Sequence, residues 1–173
     1  MFSIMPRRIA AIVLPHLLSE IGAQQIADPA AQRRPLGIVL LQRGQQPQQL
    51  TENSRLDAVD ERARKLGLTA GLTVAEGRAY VAGLQVCAVH NSELLQALQR
   101  VAEVAMEFGP TVSISLPDTV HVDLTGAAHL AGGEEAVAGT LVARVEQLQH
   151  VARVAIAQAS LKATAAPQTS PKG

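Results

Sequence analysis

The chain has no tryptophan, one tyrosine and two phenylalanines, so aromatics make up 2% of its 173 residues. That scarcity disfavours a single-strand nucleic-acid binder that works by stacking bases on rings. Cysteine is nearly absent too. Cys87 stands alone inside the apolar run LQVCAV, which rules out an internal disulfide and suits a small buried hydrophobe in a reducing, cytoplasmic compartment. Net charge is missing as well: 15 Lys and Arg offset 15 Asp and Glu. Without a global field to draw in nucleic acid or an anionic membrane, any DNA contact has to be local. Long hydrophobic runs are also lacking. The basic pair Arg7 and Arg8 precedes IAAIVLPHLL, but Pro15 and His16 interrupt that run early and no small-residue cleavage site follows. It is too short to cross a bilayer and reads as a first buried strand, so neither targeting nor a membrane partner is expected.

Several kinds of chemistry lack their residues. No G-x-S-x-G, Walker loop or G-x-G-x-x-G occurs. His16, His90, His121, His129 and His150 never fall at metal-ligand spacing with Cys or a second His, so a zinc site is not expected. Gly132-Gly133 precedes Glu134 and Glu135, which suits the start of a helix better than a phosphate cradle.

What is present is a globular pattern. With 47% hydrophobic residues the chain can bury a real core, and its length fits one domain carrying a sizeable insertion. Periodicity predicts strands over 9–14 and 35–43, a helix over 16–26, and a helix in DAVDERARKLG that ends at Gly67. A short helix over 74–82, a strand over 84–89 and a long amphipathic helix capped by Asn91 follow. Two strands of a hairpin, a helix from Gly133 to about Gln149 and a strand over 151–156 complete the chain. From Leu84 onward the order is strand, helix, strand, strand, helix, strand, the split βαβ arrangement of an α+β ferredoxin-like domain. The last residues, 160–173, are small, polar and proline-bearing, and read as a disordered tail.

The hairpin SLPDTVHVDLTG carries the main functional question. Alternation puts Val112, Ile114, Leu116, Val120, Val122 and Leu124 on one face, and Ser113, Ser115, His121, Asp123 and Thr125 on the other. Two carboxylates, Asp118 and Asp123, stand at or near the bend. As a turn residue Asp118 can bond its own backbone. Asp123 can be a structural carboxylate bonded to nearby backbone or to the Thr125 hydroxyl.

The IAAIVLP strand, the DERARKLGLTAGLTVAEG block and this hairpin together resemble the Y-family (UmuC-type) DNA polymerases, in their catalytically degenerate ImuB-like branch. The resemblance implies a ferredoxin-like palm with a small helical fingers insertion after the first strand. Residues 7–16 would be palm strand 1, 17–83 the fingers-like insertion and 84–159 the rest of the palm. It also implies where catalytic carboxylates would stand. Val13 takes the place of the first metal-binding Asp, Asp118 that of the second, Thr119 that of the catalytic Glu, and Asp123 that of the trailing Asp. Two-metal phosphoryl transfer holds two hard cations ~4 Å apart with several carboxylates. One carboxylate and a threonine do not supply that, so the catalytic positions are degenerate and no cofactor is expected; Asp118 alone would hold at most a loose Mg²⁺ through waters.

In the fingers block, Glu61-Arg62-Ala63-Arg64 keeps the last Arg of the triphosphate-holding motif and replaces its Tyr with an acid. Arg62, Arg64 and Lys65 are the candidates for phosphate or DNA contact, although Arg64 can equally pair with Asp60 or Glu61 on the helix. The family's triphosphate lysine has Ser160 in its place, with Lys162 shifted beyond it. The resemblance implies a non-enzymatic adaptor in DNA repair and damage-induced (SOS) mutagenesis, within a translesion polymerase assembly. Its partners would be a sliding clamp and a RecA-like protein, with DNA bound weakly or indirectly. An active polymerase subunit and a ferredoxin-like interaction domain unrelated to DNA remain the two other readings. Template-dependent nucleotide addition separates the first and salt-dependent DNA binding the second.

Overall fold

The computed structural model describes residues 6–127 and 132–159. Strand β1 (Arg7–Val13) leads into α1 (Leu17–Gln24), then β2 (Leu36–Leu41), β3 (Ala58–Val59), α2 (Glu61–Lys65) and α3 (Val74–Tyr80). These are followed by β4 (Gln85–His90), α4 (Asn91–Met106), β5 (Val112–Ser115), β6 (Thr119–Asp123), α5 (Glu134–Glu146) and β7 (Arg153–Ala159). The fold is mixed α/β, as expected. The tail expected over 160–173, with Ser160 and Lys162, lies outside the described residues, as does His129.

Two sheets form. An antiparallel four-stranded sheet runs β5-β6-β1-β7, and a smaller sheet runs β3-β2-β4, with β2 and β4 parallel. Here the structure corrects the sequence reading. The strand at 84–89, expected to open the palm's four-stranded unit, pairs instead with β2, while β1, expected as palm strand 1, lies in the four-stranded sheet between β6 and β7. The physical reason is burial. β2 (LGIVLL) is apolar throughout and almost wholly buried, as a strand covered on both faces must be, and β4 (QVCAVH) is its parallel neighbour.

Helices α4 and α5 cover one face of the palm sheet, and α1 bridges between α4 and the smaller sheet. The core under them comes from alternate strand residues. Ala10, Ile12, Val120 and Val122 point into it and are fully buried, and α4 adds Leu94, Leu98 and Val101 at helical spacing. Burying each such Leu or Val contributes roughly 1.5–3 kcal/mol. Leu95 is only half-buried, and Ala97 takes the deeper place. The cap also differs from expectation. Asn91 is already helical, and the Glu93 carboxylate accepts the His90 N–H at 2.8 Å. The hairpin strands end at Ser115 and resume at Thr119, so Leu116 falls in the turn and is 52% exposed.

Candidate functional site

Because α4 and α5 occupy one face of the palm sheet, the other face is left open, and the strand register fixes what it carries. Directly paired residues on neighbouring strands project to the same side with Cβ atoms ~5 Å apart. Val13 is paired with Thr119 on β6 and with Arg153 on β7, and Thr119 is paired in turn with Ser115. A single row, Ser115-Thr119-Val13-Arg153, therefore crosses all four strands. The next row is Ser113-His121-Ala11-Ala155, and beyond it lie Asp123, Ile9 and Ala157. Apart from Ile9, Val13 and the cations at its ends, the face is built from small and polar side chains.

Thus the structure brings Val13 beside Thr119 and Asp118, which are far from it in sequence. Asp118 sits in the turn immediately before Thr119, and its carbonyl accepts the Leu14 N–H at 2.9 Å, tying the hairpin to the end of β1. Its carboxylate Oδ1 accepts the Thr119 hydroxyl at 2.8 Å. That bond occupies the one carboxylate of the trio with an internal partner. The adjoining cleft, lined by Leu14, His16, Asp57, Pro117 and Asp118 among others, has a volume of only ≈ 150 Å³, below the ~300 Å³ at which small-molecule pockets begin. A pair of divalent cations does not fit the donors present. Val13 offers none, Thr119 offers only a neutral hydroxyl, which donates its hydrogen to Asp118, and among the described residues no three His, Cys, Asp or Glu side chains come together as a metal site.

Asp123 is held differently. Its Oδ1 accepts the Thr125 N–H at 2.9 Å and the Thr125 hydroxyl at 2.5 Å, while Arg7 Nε lies 3.8 Å from Oδ2. The Thr125 bonds hold the carboxyl below the ordinary Asp range, aided by Arg7 and opposed by burial. The same Thr125 hydroxyl oxygen accepts the Arg8 N–H at 3.1 Å, and Arg8 forks onto Glu134 at 2.6 and 2.7 Å. One network thus fastens the start of β1, the end of β6 and the first turn of α5.

The fingers cations have partners of their own. Asp60 caps α2 by accepting the Ala63 N–H at 2.8 Å and also takes the Leu36 N–H at 3.0 Å. Arg64 forks onto Glu61 at 3.0 and 2.6 Å, which lowers the Glu61 pKa. Arg62 donates to the Gln32 carbonyl, and Lys65 is exposed with no hydrogen bond or ion pair among the described residues. Sequence reading missed one neighbour. The 3₁₀ turn Ala31–Arg33 brings Arg33 to the groove of ≈ 860 Å³ that Arg62 also lines, with His16, Ser19 and Asp60. The adjacent pair Arg33-Arg34 was the available signal, and only the fold shows it beside α2.

The model of the impB/mucB/samB family (IMS) matches residues 22–167. The chain belongs to that family. Protein ImuB of two Caulobacter vibrioides strains is 35% identical to it over 107 residues, 61% of this chain and 23% of ImuB, so the match spans about a quarter of that relative. Among solved structures, the Dbh ternary complex superposes with a TM-score of 0.68 at 13% identity, covering 88% of this chain and 42% of Dbh. A Y-family DNA polymerase chimera of Dbh and Dpo4 gives 0.66 at 12% identity, covering 86% and 42%. DinB from Sulfolobus solfataricus gives 0.66 at 12%, covering 87% and 42%. At these identities the structures share the fold, which is the palm-containing portion of a Y-family polymerase.

Proposed function

We propose that this impB/mucB/samB-family chain acts in the response to DNA damage as a non-catalytic palm-and-fingers protein. It would be an adaptor in translesion synthesis and damage-induced mutagenesis. The observation that carries the reading is the register of β1 against β6, which sets Val13 opposite Thr119. Two of the positions that the polymerase resemblance assigns to metal-holding carboxylates are thereby side by side and neutral. Asp118, the one acid left, is bonded by Thr119. The 35% identity to Protein ImuB supports the family placement on which this reading rests.

Without metal ligands the palm has no means of stabilising the charge that develops in phosphoryl transfer. Its remaining use is as a shaped surface. Sliding-clamp, RecA-like and translesion-polymerase partners belong to this proposal, as does action in the cytoplasm. Among the described residues no helix is long and apolar enough to cross a membrane.

The test has two arms. The purified chain, given primer–template and all four deoxynucleotides with Mg²⁺ or Mn²⁺, should add no nucleotide; incorporation above a no-enzyme control would overturn the reading. In cells, Asp118→Ala should leave damage-induced mutation frequency at the parental level, while deletion of residues 7–159 should abolish it. A loss caused by Asp118→Ala would point to surviving chemistry.

A further inference from the structure

Strands β2 and β4 run parallel and end together, with Leu41 paired to His90. Beyond that pair β4 passes directly into α4, whereas β2 enters a loop. Parallel sheets take their ligands in the crevice outside the carboxyl ends of the strands. Here that place holds a pocket of ≈ 380 Å³, within the range of small-molecule sites. Leu41 and Leu95 give it apolar walls, and Arg43, His90, Asn91 and Ser92 bring polar groups to it.

The loop after β2 is held in shape by its own bonds. Gln45 Oε1 accepts the Gln42 N–H at 2.9 Å, the Gln45 N–H donates to the Gln42 carbonyl at 3.0 Å, and Gly44 takes a φ of 86° that favours glycine. Arg43 stands inside this turn and is exposed. It is the one side chain of fixed charge that lines the pocket, and among the described residues no acid lines it. Glu93, the acid nearest in sequence, is turned to the His90 N–H and the Gln25 amide, and lines a separate cavity with Gln96 and Arg100. The start of α4 is thus already capped. Preference for a negative ligand comes from the guanidinium, whose planar fork matches a carboxylate or a phosphate. The larger groove beside α2 sets Arg33 and Arg62 among Glu20, Asp60 and Glu61, and selects neither sign.

We infer that the pocket between the β2 loop and the first turn of α4 binds a small organic anion, its apolar body against Leu41 and Leu95 and its oxyanion on Arg43. Asn91 and Ser92 supply further hydrogen-bonding groups. The site lies on the small sheet and is independent of the adaptor reading.

Two fluorescent probes test this with the full chain. 8-Anilinonaphthalene-1-sulfonate carries a sulfonate on an apolar body, and N-phenyl-1-naphthylamine has the same rings without the charge. The sulfonate should saturate a single site, and the neutral probe should bind roughly tenfold more weakly. Arg43→Ala should bring the sulfonate down to the level of the neutral probe and leave the neutral probe unchanged, while Arg43→Lys should keep part of the difference. Arg43 lies outside every strand and helix, so thermal melts of these variants should match the parent. Amide shifts in ¹⁵N spectra should concentrate at residues 41–45 and 90–95. Competition by phenyl phosphate and by benzoate separates a phosphate from a carboxylate head, and displacement by either supports the site.

Equal affinity for the two probes, parental sulfonate affinity in Arg43→Ala, or amide shifts centred elsewhere would overturn the assignment, as would failure of both competitors. An oligonucleotide that displaces the sulfonate where phenyl phosphate at matched phosphate concentration does not would give Arg43 to a nucleic-acid backbone and also overturn it. None of these outcomes bears on the cellular arm of the adaptor test.

Discussion

Val13 and Thr119, the two positions that the polymerase resemblance assigns to metal-holding acids, are neutral side chains ~5 Å apart. Hard divalent cations demand oxygen ligands, so placing acids there should create some affinity. Val13→Asp with Thr119→Glu is expected to bind Mn²⁺ more tightly than the parent, because the new carboxylates project from directly paired residues and Asp118 adjoins them. Arg153, paired with Val13 on its other side, should oppose that gain through like-charge repulsion. Adding Arg153→Ala to the double variant should then tighten Mn²⁺ further. Isothermal titration of the three chains checks the order, and equal affinities would mean that the side chains do not share the face that the register assigns them. The pairing of Val13 with Thr119 follows from the register, and the catalytic positions assigned to them come from the resemblance alone. The place of Arg153 was not legible in the sequence, since nothing in VARVAIA states which β1 residue each position will meet.

At the level of elements, the sequence announces type more readily than partner. Alternation marked β5 and β6 apart from Leu116, which falls in the turn, yet β4 was assigned to the wrong sheet because its period says strand and is silent on its neighbour. The apolar character of LGIVLL, and of LQVCAV apart from Gln85, was the available clue to a parallel pair, of which β2 is the strand covered on both faces. Capping chemistry was partly legible, as with Gly67, whose φ of 94° suits a residue that ends α2. The network around Thr125 joins three elements and gives the fold an acid limit. Fold-specific bonds hold the Asp123 and Glu134 carboxyls below their ordinary values of 3.8 and 4.5. A lowered folded pKa contributes stability that is complete above the unfolded value and is lost as pH falls through the folded one. Thermal stability should therefore be flat from neutral pH down to about pH 5 and decline below about pH 4. Asp123→Ala should lower it at neutral pH and flatten the acid decline, followed by circular dichroism melts across pH. An unchanged acid profile would show that the Thr125 bonds do not persist in solution.

At the scale of the whole molecule, β2 is the wall between two hydrophobic clusters. Leu36 and Ile38 belong to the large cluster that also holds Ile12, Leu98, Val122 and Leu141, so the palm and part of the insertion share one core. Val39 faces the other way, into a smaller cluster with Leu56, Ala63, Leu68, Val74 and Leu84 that holds α2 and α3. A strand whose two faces serve separate cores couples them unequally. The large cluster should unfold only with the whole chain, while the small one can open by itself at lower cost. Leu68 and Leu98 are both fully buried, and truncating either to Ala should cost about 2–5 kcal/mol where its cluster resists collapse. The consequences should differ in reach. Leu98→Ala should raise amide hydrogen exchange throughout β1, β6 and β7, because it lowers global stability. Leu68→Ala should raise exchange chiefly in α2 and α3 and leave the palm sheet close to its parental protection. Equal acceleration across the palm sheet in both variants would show that the two clusters open together, and the α2 cations could not then move independently of the Arg153 face.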